Sequence, residues 1–473
     1  MKVAEYFRKI KRKRIIKFLT STSPQKIEKI GEKLLIPAFR RAAKKVPAYS
    51  KILKEHGINY EEVKNVESFK RLVPVIDKKD TFQRFEIEEL CVGGTLKEMK
   101  LAMSSSGFSG VYAFGINTYK NYKMIAQSID TALDYAFNIS EKETFLVNCI
   151  PMGVKVHTSL KLAETSVRSD MALAIIKKFS PKFEQTLIVS DPHFLKKLIE
   201  EGNEMKINWK KLKVSLIFGE DWFSESFRDY MAELINLDLN NPQGRLIGAT
   251  MGIAELDLNL FHESWHTILM RKKIQENEDL RRELFKDAKV APIIFHYYPH
   301  RIFLEALPEE SEEKELVFSM LSPYMLIPLM RYNSKDKGKI FSYMRIKDIL
   351  SKYKLSHLLP ELKLPLVAVE GRRNRFVEKD GKRLYPEEVK QGLYEDFEVA
   401  STTTGYFRLS KENNSPKLEI QLKKGIRATH TLKEKFKKAL LKYSEIDIPV
   451  ILYHYQDFPY AMELDYEKKF RHL

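Results

Sequence analysis

The sequence predicts an α/β protein with a large amino-terminal body and a small carboxyl-terminal α+β domain. Three short apolar runs, residues 144–150, 186–190 and 214–219, are typical of buried strands and alternate with helical patterns. Such alternation favours a sheet of mostly parallel strands. The chain has 473 residues, 44% of them hydrophobic, which suffices for a large core and for more than one domain.

The first segment is strongly basic, since seven of the ten residues from Arg8 to Lys17 are lysine or arginine. Apolar side chains are interspersed at loosely helical spacing. A cationic helix that packs on the body through its apolar stripe is the favoured interpretation. A helix in peripheral contact with an anionic membrane surface is the alternative. We treat residues 1–35 as a basic leader.

Helical patterns continue to His56, and Pro37 and Pro47 are expected to break or kink them. Asp77 fits the amino-terminal cap of a further helix. After a Ser/Gly-rich segment, residues 119–137 have the apolar spacing of an amphipathic helix.

From residue 295 the sequence becomes rich in strand patterns, and it changes again after Gly371. The last hundred or so residues combine strand and helix patterns in a unit large enough for its own core. We therefore predict a large domain over residues 36–370 and a small domain over residues 371–473.

The net charge of +17 favours anionic partners such as nucleotides, acidic membranes or nucleic acid. No zinc-finger, helix-turn-helix or aromatic RNA-binding pattern occurs, which argues against nucleic acid. Cys91 and Cys149 lack metal-type spacing, and no run of eighteen apolar residues occurs. These features lead us to expect a cytoplasmic protein.

The segment from Ser104 to Gly110, SSSGFSG, is predicted to be a loop. Its glycines permit positive φ and a close approach of a ligand to the backbone. Serine hydroxyls and successive backbone N–H groups suit phosphate. The segment matches neither G-x-x-x-x-G-K-[ST] nor G-x-G-x-x-G, so a flexible turn is the alternative.

Four further segments follow this loop in order: FGEDWFSESFR, MGIAEL, PLMRYNSKD, and VEGRRNRF with GKRLYPEEV. This succession resembles the adenylate-forming enzymes, the superfamily of acyl-CoA synthetases, adenylation domains and luciferases. Within it, the chain is similar to the phenylacetate-CoA ligase branch and its acyl-protein synthetase relatives. The early segments VPAYSKILKEHGI and FKRLVPVIDKKDTF resemble the entry segment of that branch. Only the basic leader lies outside the resemblance.

The resemblance implies that the Ser/Gly loop contacts the phosphates of ATP. The residues at matching places are Ser105, Ser106, Gly107, Ser109 and Gly110. Phe108 replaces a hydroxyl residue of the family loop, and the Pro-Lys that usually follows is missing.

Two segments that end in an acidic residue also resemble motifs of the family. Met251 to Glu255 resembles Y-G-x-T-E, which implies that Gly252 borders the nucleotide and that Glu255 holds Mg²⁺. Arg331 to Asp336 resembles R-Y-x-T-G-D, which implies that Asp336 accepts hydrogen bonds from the ribose hydroxyls. A surface carboxylate without a ligand is the alternative for each.

Gly219 and Glu220 begin a segment that resembles G-E-P-W, which borders the nucleotide and acyl pockets in this branch. Asp221 replaces its proline. Gly371-Arg372 resembles the family hinge G-R-x-D. Arg372 is then a catalytic cation near the phosphate or ribose, and Asn374 stands in the acidic hinge position.

The last implied element is a catalytic lysine near the carboxyl end, whose charge would stabilise the transition state as pyrophosphate leaves. Lys469 is the first choice and Lys468 the second. A solvated lysine pair is the alternative.

Three histidines are further candidates. His157 follows a Pro-Met-Gly turn in the region where the branch lines its acyl pocket, and His262 and His266 are spaced to share a helix face and bind a metal. Core or surface histidines without a ligand are the favoured interpretation for all three.

The resemblance implies ATP-dependent activation of a carboxylic acid, aryl or fatty, to acyl-AMP, followed by transfer to a thiol. ATP, Mg²⁺ and coenzyme A are the expected cosubstrates and metal. A cysteine of a carrier or partner protein is the alternative acceptor. A degenerate, non-catalytic protein of the same fold is the third hypothesis, because the usual lysine after the loop is missing.

Overall fold

The computed structural model describes residues 2–473 except 106, 108–109, 241–243, 287, 312, 372–375, 413–414, 445, 461–465, 467–469 and 471. Its first sheet is an antiparallel hairpin of β1 (Met99–Ser104) and β2 (Phe114–Thr118). The described residues of the Ser/Gly segment after β1, Ser105, Gly107 and Gly110, lie in the connection between these two strands, outside any helix or strand.

A mixed sheet forms the body of the described chain. In chain order, its strands are β3 (Thr144–Asn148), β4 (Lys161–Glu164), β5 (Gln185–Ser190), β6 (Val214–Phe218), β7 (Ile247–Ile253), β8 (Asp257–His262), β9 (Ile293–Tyr297), β10 (Ile302–Leu307), β11 (Glu315–Met320), β12 (Tyr332–Phe341) and β13 (Leu366–Gly371). The spatial order is β10-β11-β12-β13-β9-β8-β7-β6-β5-β3-β4.

Four strand pairs, from β4 to β7, are parallel, and the six pairs from β7 to β10 are antiparallel, so the prediction of mostly parallel strands is wrong for this sheet. The three strands β3, β5 and β6 are buried along their whole length, which explains their uninterrupted apolar runs. The strand-rich sequence after residue 295 corresponds to the antiparallel half.

Helices cover both faces of the sheet in the large part of the chain. They are α1 (Lys2–Ser21), α2 (Pro24–Lys45), α3 (Pro47–Glu55), α4 (Val66–Leu72), α5 (Tyr119–Phe137), α6 (Ser169–Phe179), α7 (Pro192–Glu204), α8 (Glu225–Leu234), α9 (Trp265–Glu276), α10 (Glu278–Phe285) and α11 (Tyr343–Lys352).

The part after β13 has its own small sheets and helices. They are the hairpin β14 (Val377–Lys379) and β15 (Lys382–Leu384), the helices α12 (Pro386–Leu393), α13 (Phe397–Thr402) and α14 (His430–Leu441), and a sheet of β16 (Thr403–Glu412), β17 (Ser415–Leu422) and β18 (Val450–Tyr453). The predicted fold class, an α/β body with a small α+β domain, is confirmed. The residue boundaries 35/36 and 370/371 stay predictions.

Two local predictions hold only in part. Helix α2 continues through Pro37, so the helix is not broken there, whereas Pro47 does begin a new helix at α3. Asp77 caps a series of turns rather than a helix, and its Oδ1 accepts the Lys79 N–H at 2.8 Å.

Helix α1 packs against the end of α5 and the turn after it. Lys9 Nζ lies 2.7 Å from the Glu141 carboxylate, and Arg12 donates to the Ser140 hydroxyl at 2.9 Å. Leu19 is buried beside Ile27. The favoured interpretation of the leader, a cationic helix on the body, agrees with these contacts.

The amino-terminal turns of α1 leave Tyr6 and Phe7 more than 60% exposed. Membrane contact through this surface stays a prediction. In the described part of the chain, no helix combines the length and apolar character that crossing a membrane requires.

The small domain is bonded to α7 and to the beginning of α8. Lys196 Nζ donates to the Thr403 carbonyl at 2.7 Å, and the Ser226 hydroxyl donates to the Gln391 carbonyl at 2.7 Å. Lys196 is buried, and burial lowers its pKa to about 7. These bonds hold the small domain over the carboxyl ends of β5 and β6.

Candidate functional site

A cavity of about 620 Å³ opens between the β1–β2 hairpin, the carboxyl ends of β5 and β6, the β7–β8 turn and the small domain. Ligands of α/β proteins commonly bind outside the carboxyl ends of parallel strands. The residues that line one part of this cavity include several that the sequence motifs predict, together with the adjacent Ser104: Ser104, Ser105, Gly219, Glu220, Gly252, Glu255 and Asp336. We call the part that they line the polar end.

The Ser/Gly loop reaches the polar end through Ser104 and Ser105. The Ser105 N–H donates to the Ala113 carbonyl at 2.8 Å, and its hydroxyl accepts the Ala113 N–H at 2.9 Å, so the base of the loop is closed. Gly107 and Gly110 both have positive φ, as expected for this loop. Ser106 and Ser109 lie outside the described residues.

The hairpin packs directly against the MGIAEL segment. A Cβ added to Gly115 of β2 would overlap with the carbonyl oxygen of Ala254. A Cβ added to Gly252 would likewise overlap with the backbone of Leu258. Glycine is therefore required at both positions. The close packing at these glycines places the Ser/Gly loop and Glu255 on the same side of the cavity.

Glu255 is 2% exposed and lies in the turn between β7 and β8. Its Oε1 accepts the Tyr332 hydroxyl at 2.7 Å and lies 3.3 Å from Lys78 Nζ. Its Oε2 is buried and has no hydrogen-bond partner within the described chain. Burial, followed by the charge of the Glu255 carboxylate, raises the pKa of Tyr332 well above its usual range.

Asp336 is half-buried and lines the cavity from β12. The residue before it, Lys335, has φ of +65°, the left-handed region in which the family motif has glycine. Arg331 does not reach the cavity lining; its guanidinium bonds Glu305 at 3.1 Å and the Val73 carbonyl at 2.6 Å. In this motif, the structure places Asp336 at the site and assigns Arg331 to the core.

Gly219 and Glu220 follow β6 directly, and Glu220 has φ of +68°. The next residue, Asp221, replaces the proline of the family motif and accepts a bond from Lys390 Nζ at 2.7 Å. Lys390 belongs to α12 and also donates to the Trp222 carbonyl at 3.0 Å. The replacement therefore supplies an ion pair between the two domains.

A cluster of His193, Asp221 and His472 lies beside this ion pair, with one potential ligand atom of each within 4.8 Å of the others. His472 Nδ1 is 3.0 Å from the Phe407 carbonyl, and the His193 ring stacks on Tyr406. Burial lowers the pKa of His193 to about 3, so the ring is neutral. Because the Lys390 ammonium already neutralises Asp221, we interpret the cluster as part of the domain contact.

Sequence analysis missed Asp191 and Lys78, which also line the cavity. Asp191 follows β5, caps α7 by accepting the His193 N–H at 3.0 Å, and has its pKa raised to about 7 by burial. A detectable signal was its position directly after a predicted parallel strand. Lys78 follows the residue proposed as a cap and carries no comparable signal.

Four predicted residues of the small domain and hinge, Arg372, Asn374, Lys468 and Lys469, lie outside the described residues. Their neighbours are described. Gly371 has φ of +82°. Gly371, Phe470 and His472 all line the cavity. The roles of the four residues stay predictions.

The three candidate histidines have different surroundings. His157 is fully buried, its ring contacts Tyr122 in a tilted arrangement, and it does not contribute to the lining of the cavity. His262 ends β8 and His266 belongs to α9, so the prediction that they share a helix face is wrong. His262 does line the cavity, and burial lowers its pKa to about 3.

A scan against protein-family models finds no match, and no curated protein matches the chain. Solved structures do match. The 2-hydroxyisobutyryl-CoA ligase in the postadenylation state, in complex with R3-HIB-AMP, has a TM-score of 0.69 at 13% identity, covering 96% of this chain and 90% of that chain.

Two further structures of that ligase are also similar. The open conformation with 2-HIB-AMP and CoA has a TM-score of 0.56 at 14% identity, covering 93% of this chain and 91% of that chain. The thioesterification state has a TM-score of 0.54 at 14% identity, covering 94% and 89%. The chain therefore has the fold of the adenylate-forming acyl-CoA ligases.

Proposed function

We propose that the protein uses ATP to activate a carboxylic acid as acyl-AMP, with release of pyrophosphate, and then transfers the acyl group to the thiol of coenzyme A. The observation that carries this proposal is the meeting of four separate segments at one cavity, through Ser105, Glu220, Glu255 and Asp336. The fold in which they meet is that of a ligase solved in complex with an acyl-AMP and CoA.

The donor set fits Mg²⁺. Magnesium prefers one or two carboxylates together with substrate phosphates. Glu255 offers a buried carboxylate oxygen that lacks a partner in the described chain. When bound, Mg²⁺ would supply positive charge that offsets the negative charge of the phosphates. Tyr332 and Lys78 would hold the Glu255 carboxylate in place by their contacts to its other oxygen.

The other residues of the polar end are proposed to position the nucleotide. Asp336 would accept hydrogen bonds from the ribose, a contact strengthened by its charge. Gly252 would let the nucleotide approach the backbone. Arg372 and Lys469 are proposed as the cations that stabilise charge during adenylation. Their proposed roles rest on the family motifs.

The finer assignment to the phenylacetate-CoA ligase branch is also part of this proposal. It is supported by the entry segment before residue 83 and by the Gly219-to-Trp222 segment. Coenzyme A is the proposed acceptor, and a carrier or partner protein is the alternative.

The experiment is to trap the activated acid with hydroxylamine in the presence of ATP, Mg²⁺ and a panel of aryl and aliphatic acids. Acid-dependent hydroxamate together with stoichiometric AMP and pyrophosphate supports the proposal. ADP instead of AMP contradicts the proposed adenylation. No product with any acid also contradicts it and favours the non-catalytic hypothesis.

The acceptor is tested in a second stage with presynthesised acyl-AMP and no hydroxylamine. Rapid thioester formation on adding coenzyme A supports the proposed acceptor. Thioester that forms only after a carrier protein is added would favour the alternative.

A further inference from the structure

We infer that the acyl group of the substrate is a long aliphatic chain rather than a single aromatic ring. This inference rests on the proposed function, and it concerns the part of the cavity beneath α5. We call this part the apolar end; its lining residues are Ile129, Ala132, Leu133, Ala136, Phe137, Leu146, Val189, Ile217, Leu246 and Gly248.

The floor of the apolar end is set by strand register. Val189 of β5 pairs with Ile217 of β6, and Ile217 pairs with Gly248 of β7, so the three residues form one row across the sheet. Leu146 and Leu246 line the cavity from a second row, deeper in the sheet. Four neighbouring strands, β3, β5, β6 and β7, thus contribute, which is a width of about 14 Å at the usual strand spacing.

The roof is one face of α5. Ile129, Leu133 and Phe137 recur at intervals of four residues and lie over the floor, together with Ala132 and Ala136. From Ile129 to Phe137 the helix rises by about 12 Å. An extended chain of about ten single bonds has this length.

Gly248 has no conformational need to be glycine, since its φ is not in the left-handed region. An added Cβ would come no closer than 3.5 Å to any neighbour. In a buried strand, a missing side chain usually costs packing. We therefore interpret Gly248 as the floor position at which the absence of a side chain leaves volume for a ligand.

The residues that line the apolar end form its wall, and none of them carries a charge. Two polar residues that line the cavity beside this part are bonded to other protein groups: Asn259 Oδ1 of β8 accepts the Thr250 hydroxyl at 3.0 Å, and the carboxylate of Glu263, directly after β8, binds Arg228 at 2.9 Å. His262, the last residue of β8, also lines the cavity, and its buried ring nitrogens have no hydrogen-bond partner in the described chain. A single ring, little wider than one strand spacing, would leave much of this apolar wall uncovered. A chain would cover it along its length.

The test compares butanoate, decanoate and phenylacetate in the wild type, in Gly248→Leu and in Ala4→Leu. Ala4→Leu adds the same side chain at an exposed site on α1 and is the matched control. We expect kcat/KM for hydroxamate formation to rise about fourfold per methylene from butanoate to decanoate. Gly248→Leu should lower the decanoate value about 100-fold and leave the butanoate value within threefold.

Calorimetric titration with decanoate is the second readout, because it does not require adenylation. Decanoate binding that Gly248→Leu abolishes upholds the inference even if no acid is activated. Activation of phenylacetate with no activation or binding of decanoate overturns the inference and leaves the proposed function intact. Absence of both activity and decanoate binding overturns both. If Gly248→Leu fails to fold, Ala136→Leu on the roof replaces it.

Discussion

At the polar end of the cavity, the functional groups are held by hydrogen bonds and ion pairs, whereas the apolar end is shaped by side-chain packing alone. Glu255 is fixed by Tyr332 and Lys78, and Asp221 is fixed by Lys390. At the apolar end, Val189 and Ile217 pack in one hydrophobic cluster with Leu133 and Phe137 of α5.

This difference has a consequence for mutation. Directional bonds place a charge at one point, so a substitution at the polar end should change one step of the reaction. Packing defines only a volume, so a substitution at the apolar end should change which acids fit. The following variants test the first half of this comparison, in order of decreasing effect.

Lys469→Ala should have the largest effect. Loss of one charge contact made in the transition state commonly costs about 3–4 kcal/mol, or two to three decades in rate. We expect acyl-AMP formation to slow by this factor, while thioester formation from presynthesised acyl-AMP stays nearly unchanged. Rapid-quench measurement of each half-reaction checks this.

Lys468→Ala is the matched control for that variant. If it shows the loss instead, the lysine assignment is displaced by one residue. If both variants form acyl-AMP at the normal rate, the terminal lysines have no part in adenylation.

Glu255→Gln should slow acyl-AMP formation about 100-fold, because it removes the carboxylate charge but keeps the acceptor for Tyr332. The concentration of Mg²⁺ needed for half-maximal rate should rise. Glu305→Gln is the control, since Glu305 is also buried and bonded, to Arg331, but does not line the cavity. It should lower stability without changing the Mg²⁺ dependence. An equal Mg²⁺ shift in both variants would refute the metal assignment.

Asp336→Ala should weaken ATP binding by about 1.5–3 kcal/mol, the usual range for a lost hydrogen bond to a charged group. Isothermal titration calorimetry with ATP measures this directly. Asp348→Ala removes an exposed aspartate on α11 and should leave binding unchanged. An unaltered ATP dissociation constant in Asp336→Ala would exclude the ribose contact.

Lys390→Ala should have the smallest effect. The side chain of Asp221 is 37% exposed, so solvent can replace part of the lost interaction. We expect the free energy of unfolding to fall by about 1 kcal/mol in urea denaturation. A fall above 3 kcal/mol would mean that the pair behaves as a fully buried one.

Sequence periodicity was sufficient to predict an element whose ends are determined by the local sequence. Helix α5 has the predicted bounds because Thr118 caps it and its apolar spacing is regular. The continuation of α2 through Pro37 was not predictable in this way, since residues on both sides of Pro37, such as Leu35 and Phe39, are buried by tertiary packing.

The polar end was accessible to sequence reasoning because the segments that contain residues such as Glu255 and Asp336 resemble motifs of a known family. The Asp221–Lys390 pair was not, because 169 residues separate its members. The apolar end was not accessible for a different reason. Its wall residues, such as Ile217 and Leu246, are ordinary core residues in the sequence, and only strand register shows that they line a cavity.

The most direct test of the central claim is the exchange of labelled pyrophosphate into ATP, which reports the reversible formation of acyl-AMP and needs no acceptor. The account predicts exchange that requires both a carboxylic acid and Mg²⁺, is strong with decanoate, and is reduced about 100-fold in Glu255→Gln. Exchange that is absent with every acid, or that Glu255→Gln leaves unchanged, would contradict it.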